Sequence, residues 1–126
     1  MRTHIPLAVA LLVAAPLAAQ PRPEPATRLT AELIERGPAT PHCGILHSLV
    51  PMRYRVRAVE SGALRVGEEI EVVVSCPEMA GVQFTSGAQH RLTLASRRPW
   101  RTGALVPWPG HPAPARRWWA TALAMP

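Results

Sequence analysis

EEIEVVVSC, residues 68–76, is the stretch on which the fold turns. Ile70, Val72, Val74 and Cys76 fall on one face of an extended chain, and Glu69, Glu71, Val73 and Ser75 fall on the other. A period of two rich in β-branched residues predicts a half-buried strand. Pro77 ends it, because proline brings no N–H to a ladder. The same alternation appears to either side. Met52, Tyr54 and Val56 interleave with Arg53, Arg55 and Arg57, an apolar face backed by a basic one. Ala58-Val59 breaks that rhythm, which predicts a bulge or the strand's end. Glu60-Ser61-Gly62 supplies a turn, and His90, Leu92 and Leu94 share one face of a later strand.

Further out the pattern is less uniform. Thr27–Arg36 admits two periods: Leu29, Ala31 and Leu33 alternate, while Leu29, Leu33 and Arg36 fit helical spacing. The strand reading agrees with the rest of the chain. Gly37, Pro38 and Pro41 stop either element. Residues 99–115 contain five prolines and two glycines and read as a long irregular loop. Residues 116–123, RRWWATAL, read as a closing strand with Trp118, Ala120 and Ala122 opposite Trp119, Thr121 and Leu123. Five or six short strands and no long helix predict an all-β protein, a small five-stranded antiparallel barrel of the OB-like kind with a proline-rich loop.

The first nineteen residues have the organisation of a secretory signal peptide. Arg2 provides a positive start, Ile5 to Ala15 an apolar run, and Leu17-Ala18-Ala19 a cleavage site. Residues 20–26, with three prolines, are expected to be a flexible leader, and 27–126 a single domain. After cleavage no window of about 20 apolar residues remains to span a bilayer. The expected location is therefore secreted or periplasmic. The chain has fourteen arginines, no lysine, eight glutamates and no aspartate, a net charge of +6. That usage looks like GC-rich coding, so arginine alone is no signature of phosphate recognition. A basic exported surface points to an anionic envelope or extracellular ligand, or to a protein partner, rather than to nucleic acid.

Cys43 and Cys76 are the only cysteines. In an exported chain an even pair reads first as a disulfide, which in the chain-entropy account stabilises a fold of this size by roughly 3–4 kcal/mol. The alternative is a copper or zinc site using Cys43, His47, Cys76 and His90, a soft ligand set without an established spacing signature. A histidine among inward-facing strand residues is more often a hydrogen-bonded structural group. The Arg53, Arg55 and Arg57 stripe is either a binding face or a solvated one paired with Glu69 and Glu71. Trp118 and Trp119 point to opposite faces, so one belongs to the core. Trp119 and Trp108 could make a stacking platform for a carbohydrate or peptide, although a cover over the barrel mouth is the plainer role. There is no GxSxG, no HExxH and no phosphate-cradling glycine loop. The sequence points to no cofactor and to no enzyme.

Residues 43–94 resemble the barrel of secreted netrin-like domains, the class that includes tissue inhibitors of metalloproteinases. The resemblance lies in Cys43 opening a strand, Met52-Arg53-Tyr54-Arg55-Val56 before the Gly62 turn, Gly67 to Val72 running into Cys76-Pro77, and a Gly87 turn before His90 to Leu94. The chain is also similar to exported proteins of high-GC bacteria built on that plan. The resemblance implies an OB-like fold and a binding role at the envelope or outside the cell. It does not imply protease inhibition, because those inhibitors use a cysteine at the mature N-terminus and the expected start here is Gln20-Pro21.

Overall fold

Alternation becomes burial along every long strand. In the computed structural model, which describes residues 13–16, 25–38, 43–44, 47–114 and 116–126, six strands appear. They are β1 (Thr27–Arg36), β2 (Ser48–Ser61), β3 (Glu69–Ser75), β4 (Gln89–Ala95), β5 (Ala104–Leu105) and β6 (Arg117–Ala124). A short 3-10 turn, Pro77–Met79, follows β3. The order β1-β4-β6-β3-β2 closes through pairing of β1 with β2, giving a five-stranded barrel to which β5 is added at β2. Thr27–Arg36 is thus a strand, with Leu29, Ala31 and Leu33 fully buried.

The barrel is not wholly antiparallel. β3 and β6 run parallel, over Glu71–Val73 with Arg117–Trp119. Parallel pairing requires a crossover, and here the chain makes β4 before β6 returns to β3. β2 is long enough to serve two neighbours. Its residues Leu49–Arg55 pair with β3 and its residues Met52–Ser61 with β1, and the ladder with β1 shifts register beside Ala58 and Val59. The broken alternation there marks a bulge, which increases local twist and helps a strand curve around a small barrel.

The interior holds Leu29, Leu33, Met52, Tyr54, Val56, Ile70, Val72, Val74, Leu92, Leu94 and Trp118. Outside the barrel, Leu49 and Val73 are also fully buried, although alternation turns them away from Val50, Val72 and Val74. Val73 lies in register between Pro51 of β2 and Trp119 of β6, and Leu49 is covered by the proline-rich segment. Its β5 pairs parallel with Ser48–Leu49, and Ala104 and Val106 donate N–H bonds to the His47 and Leu49 carbonyls at 3.0 and 2.8 Å. Gly103, at φ +119°, lets the backbone turn while lying against Leu49, where a Cβ would stand 3.1 Å from Leu49 Cγ. The expected loop is therefore a strap along the outer wall, not a lid over a mouth. The signal-peptide reading falls almost entirely outside the described residues, as does most of the leader.

Candidate functional site

The two ends of the barrel differ. One end is sealed by residues 76–88, which pass from β3 to β4. Phe84 packs into the core beside His90, with ring centroids 5.2 Å apart, and Ala80 and Val82 support it. Leu33 and the 87–88 turn exchange backbone bonds of 2.8 Å, fixing the segment to β1. His90 is fully buried. Its Nε2 lies 3.0 Å from the Gln83 carbonyl, which can only accept, so Nε2 carries the proton. Nδ1 then accepts from the Tyr54 hydroxyl at 2.8 Å. Burial holds the imidazole below its ordinary pKa, partly offset by the bond to Gln83, and burial raises the Tyr54 phenol.

Cys43 and Cys76 form a disulfide at this same end, with alpha carbons 5.8 Å apart. Cys76 has φ +46°, a left-handed conformation unusual for a residue other than glycine. It redirects the chain from β3 into the 3-10 turn, and its N–H donates to the Ser48 carbonyl at 2.9 Å. Cys43 lies before β2 rather than at a strand's start, and its N–H donates to Glu78 Oε1 at 2.6 Å.

These positions correct the four-residue metal set. The sulfurs of Cys43 and Cys76 are bonded to each other, so neither offers a thiolate. His90 has both ring nitrogens engaged within the core, while His47 is exposed. Glu78 does approach the two sulfurs, but as the carboxylate hydrogen-bonded to Cys43.

The arginine stripe lies on the outer wall and is paired along its length. Arg53 meets Glu35 at 3.1 Å, Arg55 meets Glu69 at 2.6 Å, and Arg57 meets Glu32 through Nε at 2.8 Å. The Arg55 hydrogen bond leads the effects that hold Glu69 below the usual carboxylate range. Glu71 pairs instead with Arg117, at 2.6 Å. The tryptophans also separate. Trp118 is the core residue, while Trp119 faces out against Trp100 in an edge-on pair with centroids 6.2 Å apart. Trp108 stacks on His111 at 3.9 Å in the strap, and among the described residues no ring contact joins it to Trp119. Trp108 and Trp119 therefore do not form one platform.

The opposite end of the barrel is open. β2 and β4 finish there and β1 and β6 begin, leaving a cleft of about 580 Å³. Leu64, Leu94 and Trp118 line it, and all three belong to the core or pack on it. Gly62 turns the chain at its edge with φ +107°, in a position where a Cβ would meet Thr27 Oγ1 at 2.7 Å. Arg97 and Arg116 stand at the rim, both exposed. The Arg116 guanidinium lies 4.2 Å from the Trp118 ring centroid. Neither arginine has a carboxylate partner among the described residues. Glu68, the one acid lining the cleft among the described residues, accepts the Arg65 N–H at 3.0 Å. Sequence patterning missed this site, because Arg97 lies in a connecting segment and Arg116, read as the first residue of the closing strand, falls just before β6. A signal did exist: adjacent arginine pairs, 97–98 and 116–117, flank the proline-rich stretch.

No family model matches the chain, and neither a curated protein nor a solved structure shows a significant similarity to it.

Proposed function

We propose that the protein is an exported, non-catalytic binding module of the cell envelope or extracellular space, netrin-like in plan, which recognises an anionic ligand at the open end of its barrel. The observation carrying this reading is the contrast between two sets of arginines. Arg53, Arg55 and Arg57 each spend their charge on a glutamate of the same wall. Arg97 and Arg116 share a cleft whose single acid among the described residues is already hydrogen-bonded to backbone. Two cations with no carboxylate partner among the described residues, over an apolar floor, favour a ligand that brings negative charge. The earlier candidate face of Arg53, Arg55, Arg57, Trp108 and Trp119 is the weaker docking surface, since ion pairs and the strap occupy it.

Export is supported by the disulfide, which persists in oxidising compartments. The test is capture from envelope and culture-medium extracts on immobilised protein. An acidic component should be retained by the native chain and by an R53E/R55E/R57E variant, and lost from R97E/R116E. Equal capture by R97E/R116E would remove the cleft as the recognition site.

A further inference from the structure

Resting on that reading, we infer that the cleft takes a single-chain anionic amphiphile, with its acidic headgroup between Arg97 and Arg116 and its hydrocarbon chain along Leu64, Leu94 and Trp118. Three features combine to this. The first is the floor. Leu94 and Trp118 are 2% and 6% exposed and belong to the barrel core, while Leu64 packs on that core from the turn after β2. An alkyl chain lying there extends the core outward, and each methylene removed from water is worth about 0.8 kcal/mol. Pro25, Ala26 and Ala63 add apolar walls.

The second feature is the rim. The guanidinium of Arg116 stacks over Trp118, which orients its edge donors while its face is covered. Arg97 supplies a second set of donors. A carboxylate and a phosphate monoester both offer the planar or branched oxygens that arginine binds well. A neutral lipid would leave the arginines unanswered, and a small inorganic anion would leave the floor uncovered.

The third feature is size and shape. A volume of about 580 Å³ falls in the range typical of small-molecule pockets, roughly 300–1,000 Å³. Membrane docking would call for a broad apolar rim, whereas the loop at residues 62–67 presents one exposed large apolar side chain, Val66. Glu68, exposed on the side formed by that loop, disfavours a second negative group beside it. The occupant is thus one chain with one acidic head.

The experiment is calorimetric titration of the full, oxidised chain with five probes below their micellar concentrations: dodecanoate, dodecyl phosphate, dodecyl maltoside, dodecyltrimethylammonium and butyrate. Dodecanoate or dodecyl phosphate should bind one to one, and the stronger of the two identifies the headgroup. R97E/R116E should weaken that binding at least about tenfold, equivalent to roughly 1.4 kcal/mol, while R53E/R55E leaves it unchanged. L64D should weaken it too, with circular dichroism confirming that both cleft variants retain the barrel. Butyrate binding as tightly as dodecanoate would overturn the amphiphile and leave an anion-binding cleft. Maltoside binding as tightly would overturn the acidic headgroup and the role of the arginines. Dodecyltrimethylammonium binding as tightly as dodecanoate, or binding of none of the probes, overturns the proposal; the capture experiment above then decides separately whether the cleft reading survives.

Discussion

The sealed and open ends of this barrel are built from the same strands yet solve the end of a barrel in opposite ways. At the sealed end, a connection of about a dozen residues supplies Phe84 as a plug, and a covalent bridge holds the entry to β2 against the exit from β3. Polar groups there are satisfied internally, as in the chain from Tyr54 through His90 to Gln83. At the open end, the turn after β2 brings only Leu64 inward and leaves arginines facing solvent. Stability is concentrated where the wall is complete, and the proposed recognition falls where it is not.

Substitutions at the two ends should separate accordingly. Phe84→Ala removes the plug and is expected to cost about 3–5 kcal/mol by chemical denaturation, as large aromatic truncations in cores do. A loss below about 1 kcal/mol would break the contrast. Replacing both cysteines by serine should cost about 2–4 kcal/mol, with the larger share of new backbone exchange around residues 43–48 and 76–80. If exchange increased mainly around the cleft, the bridge would not be a device of the sealed end.

Acid should act on the sealed end before the open one. Burial lowers the His90 pKa below its unfolded value of about 6.5, so the unfolded chain binds the proton more readily. Stability is then fully present above about pH 6.5 and declines as pH falls toward the folded pKa. The measurement is the denaturation midpoint against pH. His90→Phe should flatten the curve over that window, whatever its effect on stability at neutral pH.

At the open end, Leu64→Ala should cost only about 1 kcal/mol, because the side chain is half-buried. Smallest of all is the outer wall. Glu35→Gln, which breaks the pair with Arg53, should change stability by less than about 1 kcal/mol in physiological salt. A larger loss would show that the paired stripe is a structural network.

Much of the barrel was legible in the chain. Alternation placed Leu29 to Leu33, Met52 to Val56, Ile70 to Val74 and His90 to Leu94 on inward faces, because a closed barrel imposes a period of two on every strand. Cys43 and Cys76 were legible as a pair once export was assumed. The remainder depends on contacts between distant segments. No local signal tells that β6 returns parallel to β3, or that Leu49 is covered from outside by the strap. Glu32 and Glu35 looked like ordinary polar positions of β1, and only the register between β1 and β2 brings them to Arg57 and Arg53. The left-handed turn at Cys76 is likewise set by tertiary context, since composition favours glycine there. The cleft was least legible, being formed by the ends of elements rather than by any element.

The parallel pairing of β3 with β6 has a kinetic consequence. β6 comes last among the barrel strands and sits between β3 and β4, so both keep an unsatisfied edge until it arrives. Closure therefore waits on contacts far apart along the chain, a topology that folds slowly. During that wait two strand edges are open to pairing with other molecules. The segment most able to protect nascent copies from aggregation is thus Arg117–Ala124, which joins the wall last and makes it continuous.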